Sequence, residues 1–250
     1  MPTSKPDSTS QFIDLNFAQR DQDDVLRDVR QRSPLASFAY IVTPNVDHVV
    51  RLQHARSDLW PMYRHAWLTL CDSRILGRLA RMVGLPLPIV PGSDLTVAMF
   101  RQIIRPDDPV AIIGGSPGMV ESLRRQFGLT HLLHHNPPMG FIHDGAATQD
   151  AVDFVIAAKA RYIFLAVGSP QQEILAYRIA QTRRATGVGL CVGASLLFLT
   201  QEHRRAPAIL QRLSMEWLFR LLSDPMRLWR RYLVEGPLIF AIVREWRLRQ

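Results

Sequence analysis

From Phe38 onward the chain alternates short β-branched or aromatic runs with stretches of helix length, and this alternation constrains the fold more than any other feature. A strand covered on both faces reads as a brief apolar run, and a parallel neighbour must be reached by a crossover, usually a helix. The expected strands are Phe38–Thr43, Trp67–Cys71, Val110–Gly114, Leu129–His134, Tyr162–Val167 and Gly187–Val192. The expected helices are Val46–Leu59, Arg74–Val83, Leu95–Ile104, Met119–Phe127, Gln149–Ala158 and Gln172–Arg184, each with apolar residues at three-to-four spacing. The pattern predicts an α/β fold with a mainly parallel sheet flanked by helices. After Pro207 the strand signal stops, and Arg- and Trp-rich segments follow, punctuated by Pro225 and Gly236–Pro237. The expected organisation is a disordered terminus over 1–10, a core over 11–207 and a helical, membrane-proximal appendage over 208–250.

Charge narrows the partners without choosing one. The formal charge of +8 is carried almost wholly by arginine, since Lys5 and Lys159 are the only lysines. Guanidinium groups grip phosphate bidentately, so an anionic partner is expected. Nucleic acid, a nucleotide sugar, a lipid pyrophosphate and an acidic membrane surface all fit. Cys71 and Cys191 both lie in apolar runs, which argues against a disulfide framework or a metal cage and fits a reducing cytoplasm. Met1–Ser10 lacks the apolar core of a secretory signal, and no run approaches the roughly 18 apolar residues of a spanning helix. The expectation is a protein that lies on a membrane rather than crossing it.

Ligands of open α/β sheets bind beyond the carboxyl ends of the strands, near helix N-termini. Four such ends are polar or glycine-rich: Thr43-Pro44-Asn45, Cys71-Asp72-Ser73, Gly114-Gly115-Ser116-Pro117-Gly118 and Gly168-Ser169-Pro170-Gln171-Gln172-Glu173. The Gly114–Gly115 turn lets backbone amides approach a diphosphate, or it is only a tight turn. It lacks the dinucleotide fingerprint and the Gly-Lys-Ser/Thr ending of a P-loop, so NAD and ATP readings lose support. Asp72 is placed either to accept a proton from an attacking hydroxyl or to cap the helix near Arg74, and Asn45 poses the same alternative before the preceding helix. His134, His135 and His143 match no standard zinc spacing and read as solvated loop histidines. In the tail, Arg220, Arg227 and Arg231 recur at seven and four residues beside Trp217, Leu221, Leu222, Leu228, Trp229 and Leu233. That pattern suits an interfacial helix on an anionic leaflet, and equally a helix packed on its own domain.

In order, these pieces resemble the WecG/TagA/CpsF glycosyltransferases from about Phe12 to Trp246. The closing segment carries the resemblance most specifically: Arg205-Ala206-Pro207, Glu216-Trp217, Arg220-Leu221, Asp224-Pro225, Arg227 and Arg230-Arg231-Tyr232. Upstream, Thr43-Pro44-Asn45, Gly92-Ser93-Asp94-Leu95, Gly114-Gly115 and the Gly168–Glu173 run fall where the family has Thr-x-Asn, Gly-x-Asp, a glycine-rich turn and Gly-x-Pro-x-Gln-Glu. The resemblance implies a Rossmann-like fold and an inverting transfer, without metal or cofactor, from a UDP-sugar to an undecaprenyl-pyrophosphate-linked acceptor. The implied donor sugar is of the N-acetylmannosamine type, with glucose in some relatives serving exopolysaccharide assembly. Asp72 would be the general base. Thr43, Asn45, Asp94, Gly114, Gly115, Gln171, Gln172 and Glu173 would line the donor and substrate site. Arg205, Arg220, Arg227 and Arg230 or Arg231 would meet the acceptor pyrophosphate and the inner face of the cytoplasmic membrane. In the family the tail also completes the site, and exchange between monomer and homo-oligomer exposes it.

Three positions depart from the family pattern: Ser73 in place of glycine after the aspartate, Ile89 in place of an arginine before Gly92, and Leu197 in place of an acidic residue before Phe198. Two other classes of function stand beside the enzyme. A nonenzymatic scaffold of a polysaccharide assembly complex would keep the fold and lose the chemistry. A nucleic-acid-binding module would explain the arginines, but these concentrate in a Trp- and Leu-rich tail rather than on a recognition helix or an aromatic sheet face.

Overall fold

The structure is a computed structural model that describes residues 8–200 and 216–250. Six parallel strands form one sheet in the order β4-β3-β8-β7-β5-β6, with β3 at Ala39–Val42, β4 at Leu68–Thr69, β5 at Val110–Ile113, β6 at Leu132–His135, β7 at Tyr162–Leu165 and β8 at Val188–Cys191. Helices α1 (Gln22–Gln31), α5 (Gly92–Gln102) and α6 (Pro117–Phe127) bury apolar faces in one core cluster. Helices α2 (Val46–His54), α3 (Trp60–His65), α4 (Arg74–Met82), α7 (Gly145–Ala158) and α8 (Gln171–Thr182) contribute to the other. The strands divide between these clusters by their period of two: Tyr40 and Val42 join one and Ile41 the other, and Ala111 and Ile113 separate from Val110 and Ile112 in the same way. The sequence reading of a parallel α/β sheet with helices on its faces is the observed architecture.

Every expected strand forms, with ends shifted for local reasons. The fourth of them, β6, starts at Leu132 rather than Leu129, because Gly128 caps α6 in the left-handed region (φ 63°) and Leu129 N still donates to Arg124 O. The second shortens to Leu68–Thr69, and Cys71 then pairs as an isolated bridge with Ile89.

Both ends of the chain depart from expectation. Thr9 and Ser10, placed in the disordered terminus by the sequence reading, belong to strand β1 (Thr9–Phe12), which pairs antiparallel with β2 (Leu15–Ala18). The hairpin turns on Ile13 and Asp14, both with positive φ (49° and 61°). A β-branched residue there is strained, and burial of the Ile13 side chain in the core offsets the cost. At the other end, the closing helix Leu238–Leu248 buries Ile239, Ile242, Val243 and Trp246 against the same cluster as α2, and Trp246 meets Phe12 edge-on at 5.4 Å. The last part of the expected appendage is therefore packed on the core. No helix among the described residues is long and apolar enough to cross a membrane.

Candidate active site

The sheet order creates a crevice where neighbouring strands send their chains in opposite directions. From β5 the chain runs through α6 to the edge strand β6, whereas from adjacent β7 it runs through α8 the other way to β8. Gly114 and Gly115 sit at this switch point with φ of 89° and 79°. A Cβ on Gly114 would lie 2.8 Å from Val167 Cγ1 and 2.9 Å from Ala166 O, so only glycine lets the two strand ends meet this closely. His134 Nε2 donates to Gly114 O at 3.0 Å. His134 and His135 are thus half-buried residues of β6 rather than solvated loop histidines, and His135 stacks on Phe154. His143 is exposed and closes a single 3-10 turn whose Phe141 and Ile142 are buried.

On the other side of the sheet, β3 and β4 deliver Thr43, Asn45 and Asp72 to the same edge. Half-buried Asp72 follows β4, and its backbone N–H donates to Pro44 O at 3.1 Å, tying the two loops together. The capping alternative for Asp72 fails: Ser73 is the N-cap of α4, its Oγ accepting from Leu76 N at 3.2 Å. The Cys71–Ile89 bridge, with Val90 N donating to Cys71 O, brings the start of α5 beside this pair. A Cβ on Gly92 would lie 2.7 Å from Thr43 Oγ1, so the missing side chain admits the helix N-terminus next to Thr43. Asp94 lies in the first turn of that helix, where a carboxylate is favoured by the helix dipole.

Other expected site residues prove to be internal. Asn45 is the N-cap of α2: its Oδ1 accepts from the amides of Asp47 and His48, and its own N–H donates to His48 Nδ1 at 3.1 Å. Gln171 is half-buried at the start of α8, but Gln172 and Glu173 are 5% and 2% exposed. Gln172 Nε2 donates to Glu173 Oε1 at 2.9 Å, while its Oε1 accepts from Gly193 N at 2.8 Å. Both groups of the Gln172 amide take part in this link, which ties the start of α8 to the turn after β8. Burial raises the Glu173 carboxyl above the usual range, against the opposing hydrogen bond from Gln172. Burial and the Arg51 charge drive the His48 imidazole down to about 3.

The tail arginines divide. Arg205 lies outside the described residues. Arg220 and Arg227 fall on separate helices, Glu216–Ser223 and Pro225–Trp229, which the chain breaks at Asp224–Pro225 as the proline requires. Arg230 is 74% exposed and pairs with Glu235. Arg231 turns inward, 3.4 Å from Asp47 on α2, and Asp47 also pairs with Arg51. Two of the departing positions have structural roles: Ser73 is the cap just described, and Ile89 packs over Gly77 of α4, where a Cβ would lie 2.2 Å from Ile89 Cδ1. A cavity of about 340 Å³ between α3 and α8 is lined by none of the expected site residues.

A parallel sheet with a switch-point crevice and polar loops along its carboxyl edge defines an α/β protein that takes its ligand beyond the strand ends. Residues 10–250 match the family model described as Glycosyl transferase WecG/TagA/CpsF family, and the chain belongs to that family. It is accordingly a transferase working between a sugar donor and an acceptor.

Proposed function

We propose that the protein moves a hexosyl group, of the N-acetylmannosamine type or glucose, from a UDP-sugar to an undecaprenyl-pyrophosphate-linked acceptor in cell-surface or exopolysaccharide assembly. The observation that carries this reading is the position of Asp72, beyond the carboxyl end of β4 beside the Thr43 loop, with the adjoining cap supplied by Ser73. In a single inverting displacement, Asp72 takes the proton of the acceptor hydroxyl as its oxygen bonds to the anomeric carbon. The bond to UDP breaks from the opposite side, and the departing diphosphate carries the electron pair. Amides of the Gly114–Gly115 turn, the N-terminus of α6 and tail arginines are suited to stabilise that developing charge without a metal.

The tail supports the membrane part of the reading. Leu222, Met226, Trp229 and Leu233 are exposed by 74%, 86%, 50% and 56%, at spacings of four, three and four residues. Exposed Arg230 lies beside them. Apolar side chains beside a guanidinium suit the interface of an anionic leaflet, where each arginine adds about 1 kcal/mol.

The test is incubation of the full chain with a panel of UDP-sugars and undecaprenyl-pyrophosphate-linked acceptors, with a chelator present and products followed by mass spectrometry. Transfer of one sugar is expected. Folded protein that binds anionic vesicles but transfers nothing across the panel would favour the scaffold.

A further inference from the structure

Beneath the carboxyl edge of the sheet runs a buried line of polar groups that joins three loops. It begins at Asn45, after β3, whose backbone N–H donates to His48 Nδ1. Asn45 Oδ1 also lies 2.9 Å from Nδ1, but it already accepts from two amides, whereas the Asn45 N–H can only donate. Nδ1 therefore acts as the acceptor, and a neutral ring carries its proton on Nε2. His48 Nε2 faces Glu173 Oε1 at 3.9 Å, beyond hydrogen-bond reach, across a gap between α2 and α8 that the bond from Arg51 to Ser169 Oγ spans directly. Glu173 Oε1 accepts from Gln172 Nε2, and Gln172 Oε1 accepts from Gly193 N in the turn after β8. The Gln172 backbone N–H closes the line by donating to Gly168 O in the loop after β7. Around it stand Arg51, bonded to Ser169 Oγ at 3.0 Å and paired with Asp47, and Tyr63 against His48. Glu173 Oε2 is buried and makes no hydrogen bond of good geometry, although the Ser169 hydroxyl lies near the carboxyl group.

Burying a carboxyl group with one oxygen poorly bonded is costly, and an apolar residue of this size would fill the space more cheaply. We infer that Glu173 and His48 are positioning residues, which lock the loops after β3, β7 and β8 into one unit and so set the shape of the donor side of the site. Glu173 acts as the acceptor that fixes the Gln172 amide, and through it the Gly193 turn. His48 acts as the acceptor that fixes the start of α2. The kinetic part rests on the glycosyltransferase reading above; the coupling of the loops does not.

Two readouts separate these parts. Hydrogen–deuterium exchange is followed in peptides spanning 43–48, 166–173 and 188–196, and donor KM and kcat are measured for whichever UDP-sugar is transferred. Glu173→Leu is expected to speed exchange in all three spans and to raise donor KM by about tenfold, a loss of one decade in affinity, with kcat changed by less than about threefold. Glu173→Gln keeps an acceptor oxygen of the same reach and is expected to rescue both readouts. His48→Gln keeps the acceptor for Asn45 N–H, since glutamine serves at this position of a capping box, but removes the ring facing Glu173. It is expected to speed exchange in 43–48 and 166–173 together.

Faster exchange confined to the α8 peptide in Glu173→Leu would overturn the inference. So would Glu173→Gln as damaged as the leucine variant, because the carboxyl would then be needed for something other than its acceptor oxygen. If Glu173→Leu does not fold, unchanged exchange at 166–173 in His48→Gln overturns it instead. Absence of transfer by the wild-type chain would count against the proposed function, while the exchange pattern would still decide the coupling.

Discussion

Two stretches at the end of the chain have the same Arg-, Trp- and Leu-rich texture and bury it to different extents. The closing helix Leu238–Leu248 leaves Leu238, Phe240 and Leu248 exposed but seats one whole face, with Ile239, Ile242, Val243 and Trp246, on the core, beside α2 and the N-terminal hairpin. The stretch Glu216–Glu235 leaves Leu222, Met226, Trp229, Leu233 and Val234 exposed. Composition is blind to the difference, because burial depends on whether a facing surface exists. The closing helix has one, supplied in part by Phe12 at the far end of the chain. The earlier stretch meets α2 through Arg231 and Asp47 and buries Leu221, while those five apolar side chains stay outside. One part of the tail acts as an anchor to the protein, and the other is proposed as a contact with the membrane.

The largest expected effect tests whether the chemistry belongs to the core rather than the tail. Asp72→Asn should lower kcat by about 10²- to 10⁴-fold, the usual contribution of a positioned base, with donor affinity by calorimetry and vesicle binding little changed. An equal loss in donor affinity would move Asp72 from chemistry to binding. Next, Trp246→Ala should destabilise the fold by about 3–5 kcal/mol in urea unfolding, as truncation of a buried tryptophan does. Trp229→Ala should leave stability within about 0.5 kcal/mol and weaken sedimentation with anionic vesicles. Equal stability losses in the two variants would erase the distinction between the halves of the tail. Replacing the Ser73 cap with alanine should cost about 1 kcal/mol of stability, since the orphan amide of Leu76 loses its acceptor.

The smallest expected effect is on pH dependence. His48 has its folded pKa depressed by burial and Arg51, with Arg231 adding to the effect. The unfolded ring gains a proton below about pH 6.5 that the folded ring refuses, so stability falls as pH drops from there towards 3. His48→Gln should flatten that part of the stability profile in denaturant titrations at stepped pH. An unaltered slope would mean that the folded ring takes up its proton as readily as the unfolded one.

Much of this architecture was legible because buried parallel strands announce themselves locally. Runs such as Val110–Ile113 and Tyr162–Leu165 are apolar on both faces, and Gly128 closes α6 as a C-terminal glycine should. The hairpin Thr9–Ala18 was not legible, because its turn residues Ile13 and Asp14 take positive φ without the Asn-Gly or Asp-Gly signal of such turns. Helix α1 was missed although Asp21 and Asp24 form a capping box at its start, a signal that a search for acidic pairs three residues apart would have caught. At the site, the strand-end loops carrying Thr43, Asp72 and Gly114 were readable from topology alone. The capping role of Asn45 was one of the two readings its position allowed, since its partners Asp47 and His48 follow directly. The inward roles of Gln172 and Glu173 were not legible. They depend on partners far away in sequence, such as Gly193 for Gln172 and His48 for Glu173.

The most direct test of the central claim, a single displacement driven by one base at Asp72, is the anomeric configuration of the product. With whichever UDP-sugar the wild-type chain accepts, the new linkage is examined by proton NMR through the coupling between the first and second sugar carbons' hydrogens, or, for a manno-configured sugar, through the one-bond carbon–hydrogen coupling at the anomeric centre. The account predicts a configuration opposite to that of the donor. Retained configuration would contradict it, because retention calls for a second displacement or a front-side path, and neither is a single displacement driven by one base at Asp72.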